Sequence, residues 1–196
     1  MMRELVYYVA VSLDGFIAGP NGEYDAFAVE GDHMTAINER YSDTVATHVA
    51  EAFGVEADGR MFDTVLMGWN TYAVGLPYGI TSPYRHLRQI VFSREHAAAA
   101  SAEPVEGVEV TDRDPVAFVR ELKAEEGNSI WLCGGGALAA ALADEIDRLV
   151  IKRYPVLFGA GVPLFGPRAY APQAFETVEA RAFESGVTFG EYARRG

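Results

Sequence analysis

Four short segments, each following an apolar run, carry residues able to handle a ligand: SLDGFIA (12–18), GWNTY (68–72), SRE (93–95) and CGGGA (133–137). The last is the most unusual. A turn needs one glycine or two, and here Gly134, Gly135 and Gly136 stand together between WLC and ALAAAL. Three residues without β-carbons, leading into a helix, expose backbone N–H groups to an anion, a pyrophosphate above all. The same residues equally suit a tight strand-to-helix turn packed on a neighbour, and their spacing matches neither the dinucleotide fingerprint nor the P-loop. Thr71 could cap a short helix or bond a phosphate. Arg94, directly after Ser93, could clamp a phosphate in bidentate fashion or stand free in solvent. Asp25, among the aromatics of EYDAF, could hold a flat heterocycle by its ring nitrogens or be a surface carboxylate.

Other chemistries find less support. Asp14, before Gly15, reads as a turn residue bonding its own backbone. Cys133 reads as a small packing residue. A single cysteine excludes an internal disulfide framework and a cysteine zinc site. His33, His48, His86 and His96 have no ligand-like spacing, and the chain has no GxSxG nucleophile elbow.

The elements that must position these groups follow from periodicity. Residues 5–11 are apolar almost without a break and rich in Val and Tyr, as in a strand buried on both faces. Further strands are predicted at 64–67, 89–92, 129–132 and 148–154. Residues 35–53 read as a helix with Val45, Val49 and Phe53 in register and Ser42 or Asp43 as a cap. Asp114, Pro115 and Gly127 bound a second helix, with Phe118 and Leu122 facing inward. A short helix is predicted over 136–143, a glycine-rich loop over 158–166, and a terminal hairpin turning at Ser185-Gly186. Strands alternating with helices imply an α/β fold with a mostly parallel sheet, and the final two strands an antiparallel edge. Ligands of such sheets bind at the carboxyl ends of the strands, where the four segments fall.

With 196 residues, 49% apolar and 22% charged, the chain suits one globular domain over residues 1–196. The net charge of −12 argues against a nucleic-acid partner. No apolar run is long enough to span a bilayer, so the expected location is cytoplasmic.

Taken together, YYVAVSLDGFIAGPNGEYDAF (7–27), DTVLMGWNTY (63–72), IVFSRE (90–95), IWLCGGGALAAAL (130–142) and IDRLVIKRYPVLFGAGVPLFG (146–166) resemble the dihydrofolate reductase superfamily. The branch they are most similar to holds the reductase domain of bifunctional riboflavin-biosynthesis enzymes. The resemblance implies a three-layer fold with helices flanking the sheet. It also implies NADPH lying across the strand ends, with its pyrophosphate over Gly134, Gly135 and Gly136 and with Ala137 and Leu138 opening the next helix. By the same resemblance Gly68, Trp69 and Thr71 bind the cofactor, with Thr71 at its phosphates. Ser93 and Arg94 fall near the adenosine ribose and its 2′-phosphate, and Ala10 and Ile17 line the nicotinamide.

This sequence departs from the family pattern in having MGWNTY where MGRxTY is usual. Trp69 supplies no charge for a 2′-phosphate but could stack on adenine or on Arg94, so NADH stands beside NADPH as a candidate. The implied activity is hydride transfer to a small heterocycle, pterin- or pyrimidine-like, or to an imine or carbonyl, with Asp25 on the catalytic side. The alternative is a non-catalytic module binding a dinucleotide or pterin. A homodimer is implied by the resemblance alone.

Overall fold

Strand β1 (Leu5–Val11) runs through the middle of the molecule with Leu5 and Tyr7 inaccessible to solvent, as its unbroken apolar sequence requires. The computed structural model describes residues 2–57 and 59–195. Next in the chain come β2 (Phe16–Ala18), α1 (Asp32–Arg40), α2 (Thr47–Phe53), β3 (Phe62–Gly68) and α3 (Trp69–Ala73). They are followed by β4 (Arg88–Phe92), α4 (Ala97–Ala102), β5 (Val108–Thr111), α5 (Pro115–Ala124), β6 (Ser129–Gly134) and α6 (Gly136–Ala141). β7 (Arg148–Arg153), β8 (Val162–Pro163), β9 (Phe175–Ala182) and β10 (Thr188–Arg194) complete the order.

Eight strands form one sheet in the order β5-β4-β3-β6-β1-β7-β10-β9. All pairs from β5 to β7 are parallel, and β10 pairs antiparallel with both β7 and β9. The mostly parallel sheet and its antiparallel edge are as the sequence implied. So is the hairpin, whose Gly186 has φ +83. Alternate residues of the central strands face opposite layers. Leu5, Tyr7, Leu66, Ile130 and Leu132 pack with Phe118 and Leu122 of α5 and Leu138 of α6. Val6, Tyr8, Val65, Met67 and Trp131 pack with Ile37 of α1 and with Tyr41. Each fully buried Leu or Ile in these layers contributes about 1.5–3 kcal/mol. Asp114 caps α5 by accepting from the Ala117 amide at 2.8 Å, as predicted.

The helix predicted over 35–53 is two helices. The chain leaves α1 at Tyr41, makes a 3₁₀ turn at Ser42–Thr44 and starts again at Thr47. Asp43 is the cause. Its buried carboxylate accepts from the amides of Gly59 at 2.7 Å, Met61 at 2.9 Å and Phe62 at 3.1 Å, instead of capping α2. Val49 and Phe53 face solvent rather than the core. Several elements lacked a clear pattern in sequence, the three-residue β2 among them. β5 is a four-residue edge strand, α4 is an alanine run, and β8 pairs with β2 inside the glycine-rich loop.

Candidate functional site

The glycine turn stands at the carboxyl end of β6, between the ends of β1 and β3. Its three glycines are glycines for different reasons. Gly134 has φ +152, a backbone that side chains rarely adopt. At Gly136 a β-carbon would be driven into the carbonyl oxygen of Pro163, because the 162–166 segment packs onto the turn. That packing is fixed by Gly166 N–H donating to Gly136 O at 2.8 Å and by Leu164 N–H donating to Gly15 O at 2.9 Å.

Gly135 has neither reason. Its backbone is extended, at φ −97 and ψ −173, and the first atom a β-carbon would meet is Thr71 Oγ1 at 3.8 Å. Its peptide bond to Gly134 is cis.

Thr71 and Gly68 complete the same wall. Gly68 caps α3, and a β-carbon there would lie 3.8 Å from Gly135 N. Thr71 therefore sits inside the helix rather than at its cap. Its hydroxyl looks onto Gly134 and Gly135 and is half-buried. Phosphate oxygens would find a hydroxyl donor and an unobstructed backbone here, so the residues present fit a pyrophosphate.

Beyond this wall lies an aromatic shelf. Trp69 stacks face to face on His96, with ring centroids 3.6 Å apart and planes 5° apart, and meets Tyr72 at 5.5 Å. The stacking partner of Trp69 is thus His96, not Arg94. His96 is held by Ser93, whose Oγ lies 3.0 Å from His96 Nδ1 and accepts the His96 amide at 3.1 Å. Arg94 is exposed. His96 joins this shelf although its spacing gave no sign of it; its place three residues after Ser93, in the turn leaving β4, was the available signal.

The first turn is joined to the glycine turn through the 162–166 segment. Ser12 Oγ donates to Asp14 and accepts the Phe16 amide at 2.9 Å. Asp14 meets its own backbone amide, as the sequence implied, and reaches further. It receives the amides of Phe158, at 3.1 Å, and Gly159, at 2.7 Å, and so ties the first turn to the distant glycine-rich loop. The Ser12 hydroxyl first, then those two amides, hold its carboxyl down at about 2. Ala10 and Ile17 flank this turn on different layers: Ala10 packs toward Phe27, Tyr154 and Phe183, and Ile17 toward the core under α6. Ala137 is exposed beside Gly166, whereas the Leu138 side chain belongs to the core. Asp25 is exposed in the loop after β2. That loop is anchored by Phe27, which stacks on Phe158 at 5.0 Å and meets Tyr154 at 4.9 Å.

Lys152, on the sheet face opposite α5, also went unremarked in sequence. It lies beside Ala10 in the β1–β7 register. Its ammonium sits over the Tyr8 ring, 4.1 Å from the centroid. Burial pushes it down to about 8, and nearby Cys133 raises it slightly. Burial in turn pushes the Cys133 thiol up to about 12.

Two clefts lie elsewhere. One of about 1040 Å³, lined by Arg3, Ser42, Asp43 and Asn128, is at the amino ends of the strands, away from the glycine turn. Arg3 is locked there to Asp63 and to Thr64 Oγ1 at 2.8 Å. Another of about 340 Å³ lies between α1 and the β7–β10 edge, where Glu191 is paired with Arg40 and Arg148, each at 2.6 Å. Among the described residues no group of His, Cys, Asp and Glu side chains could hold a metal ion, and no helix is long and apolar enough to cross a membrane.

Comparison with known proteins matches residues 3–189 to the RibD C-terminal domain. Two Bacillus subtilis (strain 168) proteins, both named as uncharacterised, are similar over most of their length. YwjB is 33% identical over 170 residues, 84% of each chain. YyaP is 25% identical over 193 residues, 94% of this chain and 92% of its own. Among solved structures, a putative riboflavin biosynthesis protein from Shewanella sp. PV-4 aligns over 100% of both chains, with TM-score 0.72 and 24% identity. A Thermotoga maritima diaminohydroxyphosphoribosylaminopyrimidine deaminase/5-amino-6-(5-phosphoribosylamino)uracil reductase aligns with TM-score 0.66 and 17% identity. That alignment takes in 99% of this chain but 57% of the bifunctional one. The shared fold is the dihydrofolate reductase-like one.

Proposed function

The chain belongs to the RibD C-terminal domain family, and on that premise we propose that it is an NAD(P)H-dependent reductase acting on a small heterocyclic, imine or carbonyl substrate. The observation that carries the reading is Gly135. Its φ and ψ are open to any residue and no neighbour in the chain stands in the way of a β-carbon, and on this reading the space above it is kept for something the chain does not supply. Beside it, Thr71 turns a hydroxyl toward the same space.

In this reading Gly134, Gly135, Gly136 and Thr71 hold the cofactor's pyrophosphate. Trp69, His96, Ser93 and Arg94 form the adenosine end. Ala10 and Ile17 border the nicotinamide. The bound cofactor supplies the hydride. The protein orients both partners and keeps water away. Asp25, exposed in the loop after β2, would orient the substrate or a water. NADPH is the proposed cofactor and NADH its alternative, because Trp69 brings no charge to a 2′-phosphate. A homodimer and a cytoplasmic location belong to the same proposal.

The test is titration with NADPH and NADH, following Trp69 and Trp131 fluorescence, and then cofactor oxidation with pterins and pyrimidines. Binding with turnover supports a reductase. Binding without turnover favours a non-catalytic dinucleotide-binding module. If neither nucleotide binds, the proposal fails. Asp25→Asn with binding and turnover unchanged would remove Asp25 from the site.

A further inference from the structure

Of the 16 lysines and arginines, only Lys123 and Lys152 are lysines. The chain uses arginine for nearly every ion pair, so a lysine marks a position where arginine would not serve. Lys123 is accounted for: its ammonium meets Asp147 at 2.6 Å and Glu145 O at 2.6 Å. Lys152 has no carboxylate within ion-pair distance among the described residues, and its contact is the face of Tyr8. An ammonium drawn out of water without a counter-ion weakens the fold. What lysine offers and arginine does not is a proton that can leave near neutral pH.

Its position suits that property. Three strands end together on this face: β1 with Ala10, β6 with Cys133 just before the glycine turn, and β7 with Lys152 in register with Ala10. The titratable groups around it are Tyr8 on β1, Cys133 on β6, Tyr84 before β4, Tyr154 just after β7, Tyr41 after α1, and His33 on α1, which lies edge-on to Tyr154 and is bonded to Ser185 and to Ala28 O. Burial holds the four tyrosines and the thiol neutral at ordinary pH. Glu191 on β10 is engaged with Arg40 and Arg148.

Resting on the reductase reading above, we infer that Lys152 is a catalytic residue, the acid that protonates the heteroatom of a C=N or C=O substrate as its carbon is reduced. The reductant is a reduced nicotinamide, which delivers two electrons and a hydrogen to carbon. The electron pair of the C=N or C=O π bond moves to nitrogen or oxygen. That atom takes a proton from Lys152 Nζ as the Nζ–H bond breaks, and the neutral amine regains a proton from water. A proton-donating side chain typically contributes 10²- to 10⁴-fold.

The test uses whole protein labelled with ¹⁵N-lysine, whose two side-chain signals are assigned with Lys152→Met. The expected Lys152 midpoint is near 8, and one near the ordinary lysine value overturns the inference whatever the protein binds. The second readout is oxidation of NADPH with 7,8-dihydropterin as the ring C=N probe. Lys152→Met is expected to bind NADPH as the wild type does, to turn over at least 100-fold more slowly, and to lose the wild-type decline in rate above about pH 8. Lys152→Arg, which keeps the charge, is expected to be equally slow. Equal turnover with an unchanged pH profile in Lys152→Met, or an unreduced probe despite NADPH binding by the wild type, overturns the inference alone. Failure of the wild type to bind either NADPH or NADH overturns the reductase reading with it.

Discussion

Lys152→Met should make the protein more stable, and the gain should depend on pH. Burial moves the Lys152 ammonium from 10.5 to about 8, a difference of 10.5 − 8 = 2.5. At about 1.36 kcal/mol for each pKa unit, carrying the proton costs the folded state up to about 3 kcal/mol. Partial exposure of the side chain and loss of the contact with Tyr8, worth about 0.5–1 kcal/mol, bring the net gain to about 1–2 kcal/mol.

The sign follows from proton binding. Below pH 8 both states hold the proton, and the full penalty applies. Between pH 8 and 10.5 the unfolded chain holds it and the native one does not, so wild-type stability rises with pH. Above 10.5 the penalty is gone. Urea unfolding of both proteins at pH 7 and pH 10 is the assay. The variant is expected to be more stable at pH 7 by about 1–2 kcal/mol, with most of the gain lost at pH 10. A variant that is less stable at pH 7, or a gain of equal size at both values, would refute the reasoning.

Two further outcomes are expected. Asp43→Ala leaves the amides of Gly59, Met61 and Phe62 without their acceptor. It should cost about 3–5 kcal/mol in urea unfolding, and a loss below about 1 kcal/mol would show that water replaces the carboxylate. Trp69→Arg restores charge at the adenosine end, so the ratio of NADPH to NADH affinity, measured by titration, should rise about tenfold or more. An unchanged ratio would place the 2′-phosphate elsewhere.

The sheet was legible because its strands are short apolar runs ending at glycine, serine or aspartate, and the parallel order followed from the intervening helices. The 35–53 segment misled because Val45, Val49 and Phe53 keep a helical spacing. The deciding residue, Asp43, acts through amides 16 to 19 positions away, and such a contact leaves no local trace. Asp14 was legible as a turn residue, but its tie to Phe158 and Gly159, some 144 positions away, was not. The glycine turn and Thr71 were legible as an anion-binding set, but which glycine is free of structural duty depends on Pro163 packing against Gly136. Lys152 looked like an ordinary residue near a strand end until its partners, or their absence among the described residues, could be seen. His96 has no metal-ligand spacing, and its contact, the face of Trp69, comes from another strand end and leaves no local pattern.

The measurement that bears most directly on the reductase reading is NADPH affinity in Gly135→Ala. Its β-carbon meets nothing closer than 3.8 Å, and alanine restricts the unfolded chain by a few tenths to about 1 kcal/mol. Tm is therefore expected to hold within a few degrees while NADPH affinity falls at least tenfold. Gly136→Ala, which collides with Pro163 O, should lose stability and serves as the structural control. If folded Gly135→Ala binds NADPH as tightly as the wild type, the space above Gly135 is not the pyrophosphate site, and the central claim is wrong.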